Sequence, residues 1–331
     1  MTTSPLKKNI AIVAGGDSSE VIVSLKSASG IYSFMDKSLY KPYIITIVGK
    51  KWQVEISEHE QIDMDKNDFS FIQNGTKITF DFAYITIHGT PGENGILQGY
   101  FDLIGLPYSC CGVLAAAVTF NKFTCNHYLK GFGIKVSESL VLRKGQSISS
   151  DEVISKIGLP CFVKPNVGGS SFGVTKVKTR EQIEPAIALA FSEGNEVLIE
   201  AYLAGTEITC GIYKTRIKSQ ILPVTEVVSQ NEFFDFDAKY KGQVEEITPA
   251  RISAELTERV QKLTSTIYDI LGCKGIVRID YIITEGVEIN LLEVNTTPGM
   301  TPTSFIPQQI AAAGLDIKHV MTEIIENELA I

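Results

Sequence analysis

The segment RIDYIITEGVEINLLEVNTTPGMTPTS, residues 278–304, most constrains what this chain can fold into. It contains two strand-like runs separated by Glu285-Gly286, a dipeptide that suits a two-residue hairpin turn. Side chains alternate between the two faces of a strand. The hairpin therefore brings four polar side chains onto one face, at the end far from the turn: Arg278, Asp280, Glu293 and Asn295.

A two-residue turn also fixes the pairing of the strands. It places Arg278 opposite Glu293 and Asp280 opposite Leu291, so Asp280 and Glu293 are diagonal neighbours at roughly 7–8 Å. The polar face should be apolar near the turn, through Ile282, Ile289 and Leu291. The opposite face is apolar as well, through Ile279, Leu292 and Val294.

Charged groups at the end of a hairpin buried on both faces need a partner. Two carboxylates and a carboxamide are ligands that a hard cation prefers, with substrate oxygens completing its coordination. The pattern therefore predicts a Mg²⁺ site formed by Asp280, Glu293 and Asn295, with a nucleotide as the second ligand. A surface hairpin with solvated charges is the competing interpretation.

Composition excludes several classes of protein. The 331 residues suffice for two or three domains, and a net charge of −8 without a basic run argues against nucleic acid as a partner. The six cysteines form no C-x-x-C pair, which suits reduced thiols in the cytoplasm. No apolar run is long enough to cross a membrane, and the N-terminal run suits a first strand rather than a signal peptide.

Alternating strands and helices predict an open, largely parallel α/β sheet up to about residue 108. The predicted strands are 9–14, 40–48 and 81–89, and the predicted helices begin near Ser18–Glu20 and at residue 94. One long helix should cover 113–133. Two α+β units should follow, which gives three predicted domains: 1–110, 111–205 and 206–331.

The second unit should contain strands 137–143, 160–165, 174–179 and 195–203, with helices at 150–158 and 180–194. Two further strands are predicted around Ile208–Ile212 and Ile221–Val227. A polar aromatic loop, NEFFDFDAKYKG, precedes a long amphipathic helix at 252–272. After the hairpin, a last helix should end near Glu328.

Three further segments suggest a ligand site. VKPNVGGSSFGV, residues 163–174, is a strand–loop–strand whose backbone N–H groups could cover phosphates, with Lys164 beside it. A flexible hairpin turn is the alternative. Glu200 ends an apolar strand, where it either binds a nucleoside or is solvated. His88 ends a strand at the usual ligand crevice of an α/β sheet, or serves as a structural hydrogen-bonding group.

Taken together, HGTPGENGILQG, VKPNVGGSSFGV, EVLIE, DAKY and LLEVNTTPGMTPTS resemble the ATP-grasp superfamily, and closely the D-alanine–D-alanine ligase family. The resemblance runs from Ile10 to about Pro307. It implies an ATP-grasp fold whose two α+β subdomains enclose ATP. The implied reaction phosphorylates one D-alanine, and the amine of a second D-alanine then attacks the acyl phosphate for peptidoglycan synthesis. A homodimer is also implied.

The resemblance implies a role for each matching residue. The catalytic set is Glu20, Ser170, Tyr240, Arg278, Gly299 and Ser304, in which Glu20 holds the first ammonium and Ser304 the second carboxylate. ATP is bound by Lys122, Lys164, Gly169, Ser171, Glu200, Glu207 and Lys239. His88 lies near the first D-alanine. Two Mg²⁺ ions, with Mn²⁺ as an alternative, are held by Asp280, Glu293 and Asn295.

Some residues depart from the family pattern, and rival functions remain. Val21-Ile22 follows Glu20 where a charged pair is common, Asn121 replaces a common Asp, and Gly168 replaces a common Glu. The rivals are a D-alanine–D-lactate ligase, another ATP-grasp carboxylate–amine ligase, and a nucleotide-binding regulator without turnover. Tyr240 argues against the D-lactate enzyme, because such enzymes tend to carry His there.

Overall fold

The computed structural model describes residues 6–18, 20–57, 59–169, 172–229 and 244–330. Its first part is a sheet in the order β4-β3-β2-β1-β7 with two helices, and a small β5–β6 hairpin lies in the chain between β4 and β7. The elements are β1 Lys8–Gly15, α1 Val21–Phe34, β2 Tyr40–Val48, β3 Lys51–Ser57, β4 Glu60–Asp63, β5 Phe71–Gln73, β6 Thr76–Ile78, β7 Phe82–Ile85 and α2 Ile96–Ile104.

The prediction of a largely parallel sheet is correct for its centre and wrong for its edge. Strand β1 pairs in parallel with both β2 and β7. Strands β3 and β4 add on in antiparallel fashion. Only Gly49 and Lys50 separate β2 from β3, and Gly49 has a φ of +52°. A two-residue connection can join only antiparallel neighbours, because a parallel pair needs a crossover.

The long helix predicted at 113–133 is two helices, α3 Val113–Phe120 and α4 Lys122–Lys130. Asn121 interrupts it with φ −92° and ψ 100°, and its side-chain oxygen accepts a hydrogen bond from the Thr124 N–H at 2.9 Å. Asparagine favours this N-cap role over a place inside a helix. The break makes Lys122 the first residue of a separate helix, α4.

The central sheet has the order β10-β9-β11-β8 and is antiparallel throughout. Its apolar face packs on two helices around Val163, Ile183 and Val197, which are fully buried. The predicted elements of this unit are confirmed. They are β8 Ser139–Arg143, α5 Ser150–Lys156, β9 Cys161–Pro165, β10 Thr175–Val177, a 3₁₀ turn at Arg180–Gln182, α6 Ile183–Glu193 and β11 Glu196–Ala201.

The third sheet has the order β15-β14-β12-β16-β17, with β13 paired to β12. The strand predicted at Ile221–Val227 is divided between β13 and β14, because Pro223 lacks the N–H that a continuous ladder requires. The elements are β12 Gly205–Lys214, β13 Ser219–Ile221, β14 Thr225–Ser229, β15 Val244–Ile247, α7 Ala254–Ile270, β16 Gly275–Thr284, β17 Glu288–Asn295, α8 Phe305–Ala312 and α9 Ile317–Leu329.

The N-terminal sheet and the third sheet share one apolar core. Ile12 of β1 and Tyr213 of β12 belong to the same buried cluster as Ile306 of α8 and Ile324 of α9. Helices α3 and α4 pack on the third sheet, through Ala115 and Cys125 among others. The predicted boundaries near residues 110 and 205 stay predictions.

Gly275 provides a test of this junction. It has a φ of +69°, and a Cβ there would lie 1.8 Å from the Ser109 carbonyl oxygen. Gly275→Ala therefore combines left-handed strain with a clash against backbone, and we expect it to lower the free energy of unfolding by about 3 kcal/mol or more. Gly272→Ala is the matched control, since Gly272 has a φ of +61° and a Cβ at this position would meet nothing within 4 Å.

Urea denaturation of the two variants and of the unmodified chain measures the difference. Gly272→Ala should cost about 1 kcal/mol, the strain alone. Equal losses for the two variants would contradict the close approach at Ser109.

Candidate active site

The hairpin of β16 and β17 brings Arg278, Asp280, Glu293 and Asn295 onto one face, as predicted, but in a different register. Thr284 pairs with Glu288 across a three-residue turn, and the register shifts again between Asp280 and Tyr281. Asp280 is therefore directly opposite Glu293, and Arg278 is opposite Asn295. The two carboxylates are direct neighbours rather than diagonal ones, which places their charges closer together.

The same shift corrects the faces near the turn. Ile282 and Leu291 line the cavity as the predicted face requires, although Leu291 also packs in the buried core, and Ile289 belongs to that core alone. Leu292, predicted for the opposite face, lines the cavity as well. Tyr281 pairs with Leu291, so the two side chains share the core face. The bulge leaves the residue between Leu291 and Glu293 unpaired and restores the alternation beyond it.

Asp280 is the centre of the polar cluster. The Arg278 guanidinium donates to both of its carboxylate oxygens, at 3.0 and 2.9 Å. Thr209 of the neighbouring strand β12 donates its hydroxyl to Oδ1 at 2.5 Å, and Asn295 donates its amide to Oδ2 at 3.0 Å. Burial opposes the charge of Arg278, but Asp280 outweighs this and raises the pKa of the guanidinium above its ordinary value.

Glu293 is paired with Lys122, whose ammonium nitrogen lies 3.0 Å from Oε2. The same ammonium donates to the Gly168 carbonyl oxygen at 2.9 Å, so it connects the third sheet to the glycine-rich loop. Burial disfavours the Glu293 carboxylate, yet Lys122, Arg278 and Lys164 together hold its pKa well below the ordinary range. The three cations therefore favour the ionised form of Glu293.

The position of Lys122 depends on a small polar network. Asn166, just after β9, accepts the Phe123 N–H at 2.8 Å through its side chain and the Lys122 N–H at 3.1 Å through its carbonyl. The amides of Asn166 and Asn121 both donate to Glu196, at 2.7 and 3.1 Å. The first turn of α4 is thus fastened to the central sheet, on the side of the glycine-rich loop.

The second lysine of the site, Lys164, forms an ion pair with Glu200. Both side chains are buried, on adjacent strands β9 and β11. Glu207 lies on β12 opposite Ile282, and it too lines the cavity. Lys164, Glu200 and Glu207, predicted to bind phosphate and nucleoside, therefore line one cavity from two different sheets.

Glu20 precedes α1 and is 9% exposed. A Cβ at Gly169 would lie 2.9 Å from one Glu20 carboxylate oxygen, so the backbone of the glycine-rich loop approaches this carboxylate closely. His88 is buried after β7, and its carbonyl accepts the Ser18 hydroxyl at 3.0 Å. The N-terminal loops and the glycine-rich loop thus meet at Glu20.

Gly299 and Ser304 lie in the segment between β17 and α8. The Ser304 hydroxyl contacts the Thr301 hydroxyl at 2.7 Å and accepts the Thr301 N–H at 3.1 Å. A Cβ at Gly299 would lie 3.0 Å from the Ser304 hydroxyl oxygen. Next in the chain, the Phe305 ring packs 5.3 Å from the Arg278 guanidinium carbon.

These residues surround a cavity of about 770 Å³ between the three sheets. Nine of the predicted site residues line it: Glu20, Lys122, Lys164, Gly169, Glu200, Glu207, Arg278, Asp280 and Glu293. Asn295, His88, Gly299 and Ser304 lie beside it without being part of its wall. Ser170, Ser171, Lys239 and Tyr240 lie outside the described residues, as does the segment NEFFDFDAKYKG.

The fold adds three residues to the site that were not predicted from the sequence: Thr209, Glu93 and Thr297. Thr209 could have been found, because a strand beside β16 must place a side chain against Asp280. Glu93 and Thr297 contact one another through a hydrogen bond of 2.7 Å across 204 residues, which no local pattern indicates. Burial and the negative charge of Glu20 raise the pKa of Glu93 to about 7.

An antiparallel sheet facing a second sheet across a cavity lined by lysines and carboxylates is the arrangement of the ATP-grasp fold. Two family models match the chain, "D-ala D-ala ligase N-terminus" over residues 9–111 and "D-ala D-ala ligase C-terminus" over residues 128–326. A D-alanine–D-alanine ligase of Bacteroides fragilis is 70% identical over 323 residues, covering 98% of this chain and 100% of the relative.

Two solved structures agree with the fold over nearly the whole chain. A D-Ala:D-Ser ligase from Enterococcus faecalis has a TM-score of 0.86 at 30% identity, covering 98% of this chain and 100% of that one. A Bacillus anthracis D-alanine–D-alanine ligase complexed with ATP has a TM-score of 0.77 at 30% identity, with 98% of each chain covered.

The chain belongs to the D-alanine–D-alanine ligase family. The fold class predicted from the sequence is confirmed, as is the class of enzyme, an ADP-forming ligase. The reaction of the family is the ATP-dependent joining of two D-alanines in peptidoglycan synthesis. Among the described helices, none combines the length and the apolar character that a membrane span requires.

Proposed function

We propose that the cavity joins two D-alanines through a D-alanyl phosphate, with the roles that the sequence predicted for its residues. The observation that carries this proposal is the cluster of Arg278, Asp280 and Glu293 on the cavity wall, with Lys122 reaching it from α4. Carboxylate phosphorylation needs charge neutralised on both reacting groups. The cluster offers positive groups for the phosphates and negative groups for a metal within one site.

The carboxylates suit Mg²⁺ by their chemistry. Asp280 and Glu293 are directly opposite, and Asn295 adds an amide beside both, with its nitrogen 3.0 Å from Asp280 and 3.4 Å from Glu293. Among residues 6–18, 20–57, 59–169, 172–229 and 244–330, no group of three His, Cys, Asp or Glu side chains could hold a metal. The proposed site therefore depends on the Asn295 amide oxygen, because Mg²⁺ takes oxygen ligands, and on substrate oxygens. Two bound ions would neutralise phosphate charge.

In the first step, Lys122, Lys164 and Lys239 bind the ATP phosphates, while Glu200 and Glu207 bind the nucleoside. Glu20 holds the ammonium of the first D-alanine, near His88. The D-alanine carboxylate attacks the γ-phosphorus and ADP leaves. The glycine-rich loop approaches Glu20 closely, which supports the proposal that it covers the reacting groups and excludes water from the acyl phosphate.

In the second step, Ser304 binds the carboxylate of the second D-alanine, whose amine attacks the acyl carbon. Arg278 and the Gly299 N–H stabilise the negative oxygen that develops there, and phosphate leaves. The contact between Arg278 and Phe305, next to Ser304, supports this pairing of roles. The proposal extends to three domains with boundaries near 110 and 205, a homodimer and a cytoplasmic location.

Release of ADP tests the proposal directly. The purified protein is incubated with ATP, Mg²⁺ and single candidates from a panel of D- and L-amino acids and D-lactate. When D-alanine is the substrate added, ADP and the dipeptide should form together. ADP formation with an L-amino acid and not with D-alanine would contradict the assignment of the substrate.

Tyr240 is proposed to bond with Ser170 or Glu20 and to leave the second subsite free of positive charge. A histidine there would gain charge below about pH 7, repel an ammonium and favour an uncharged hydroxyl nucleophile. We therefore expect Tyr240→His to raise ester formation from D-lactate at low pH, and Tyr240→Phe to increase futile ATP hydrolysis. The ratio of dipeptide to depsipeptide is measured across pH for the unmodified protein and the two variants. Identical ratios in all three would exclude Tyr240 from the choice of acceptor.

A further inference from the structure

The segment 296–304, which contains Gly299 and Ser304, is held against the N-terminal domain at two points. The Met300 N–H donates to the Ser27 hydroxyl of α1 at 3.3 Å. A Cβ at Gly30 of the same helix would lie 2.3 Å from the Met300 carbonyl oxygen, so helix and segment are in direct backbone contact. We call residues 296–304 the acceptor segment.

The second point is Glu93, in the loop between β7 and α2. One of its oxygens accepts the Thr297 hydroxyl at 2.7 Å, and the other accepts the Gly89 N–H at 2.7 Å. Gly89 and Thr90 line the cavity, whereas Glu93 itself does not. One carboxylate therefore connects the cavity-lining loop after β7 with the acceptor segment, two regions that come from opposite ends of the chain.

We infer that Glu93 is a positioning residue for the second D-alanine, acting through Thr297 on the acceptor segment. This inference rests on the proposed roles of Gly299 and Ser304. Thr297 lies in the same segment as Ser304 and Gly299, so a lost bond at Thr297 displaces the hydroxyl that binds the second carboxylate together with the N–H that faces the developing oxyanion. The first step depends on other elements, because Lys122 belongs to α4, Lys164 to β9 and Glu20 to the loop before α1.

Thr297→Val separates the two functions of Glu93, since it removes the hydroxyl and leaves the bond from Gly89 to Glu93 in place. Thr297→Ser is the conservative variant, because serine keeps a hydroxyl at this position. Gly30→Ala displaces the acceptor segment from the other side, through the Met300 carbonyl. Thr266→Val is the matched control, because Thr266 is exposed on α7 and bonds only to its own helix at Lys262 among the described contacts.

Hydroxylamine isolates the first step. The D-alanine concentration is kept far below the KM of the second D-alanine. The hydroxylamine nitrogen then attacks the acyl carbon of D-alanyl phosphate, the C–O bond to phosphate breaks, and D-alanyl hydroxamate and phosphate are released. We expect Thr297→Val and Gly30→Ala to form hydroxamate within about twofold of the unmodified rate. The KM of the second D-alanine should rise roughly tenfold to a hundredfold, as for losing a hydrogen bond to a charged acceptor.

Thr297→Ser and Thr266→Val should form both hydroxamate and dipeptide at the rates of the unmodified protein. Parallel loss of hydroxamate and dipeptide in Thr297→Val would overturn the inference, because the residue would then support the whole fold or the first step. Unchanged dipeptide kinetics in Thr297→Val would overturn it as well. If the unmodified protein forms neither product, the proposed function itself fails, which is a separate result.

Discussion

Glu293→Gln should reduce turnover on the order of 10³-fold or more, because it removes the carboxylate that pairs with Lys122 and that would hold the metal together with Asp280. The amide has nearly the same volume, so the fold should persist with a modest change of melting temperature. Steady-state kinetics across Mg²⁺ concentration measures the loss. Binding of Mn²⁺ to the protein in the presence of ADP, followed by electron spin resonance, should weaken in parallel.

Glu288→Gln is the matched control for this change. Glu288 lies at the other end of the same strand, β17, and pairs with Lys135 at the surface. Its variant should keep both turnover and Mn²⁺ binding. Near-normal kcat for Glu293→Gln at saturating Mg²⁺, with unchanged melting, would exclude the two-metal assignment.

Arg278→Ala should lower kcat by at least roughly 10²–10³-fold, the usual loss for a donor that acts in the transition state. The KM of ATP should change much less. The structure adds a second consequence, since Arg278 is the bidentate partner of Asp280. Removal of the cation leaves a buried carboxylate without its main counter-charge, so the melting temperature should also fall.

Arg278→Lys separates charge from geometry. Lysine keeps the positive charge beside Asp280 but cannot form the two parallel bonds of a guanidinium. Compared with Arg278→Ala, the Arg278→Lys variant should therefore regain most of the lost melting temperature and little of the lost kcat. A rise confined to the KM of ATP, with kcat unchanged in both variants, would make Arg278 a ground-state ligand instead.

Much of the fold followed from local patterns. Strands β1, β2 and β7, the strands of the central sheet and the amphipathic helix α7 were predicted within a few residues, because periodicity reports directly which side of an element is buried. Strands β3 and β4 of the N-terminal sheet were not predicted. The errors fell where one residue changes the chain direction. Asn121 ended a predicted helix early, and Gly49 turned β3 back along β2.

For the site, the alternation of side chains in β16 and β17 determined that Arg278, Asp280, Glu293 and Asn295 share a face, since that period is a property of the strand itself. Their mutual distances were decided elsewhere. A three-residue turn and a bulge moved Asp280 opposite Glu293. The sequence contains the chemical groups of the metal site but not their register.

Contacts between distant segments depended on the tertiary structure alone. Lys122 meets Glu293 because Asn166 and Glu196 fasten α4 to the central sheet, and Glu93 meets Thr297 because the N-terminal and third sheets share one apolar core. Such pairs have no local signature, since their positions follow from how whole sheets pack together. The residues that carry the chemistry were therefore fixed by strand period and motif, and the residues that position them by packing.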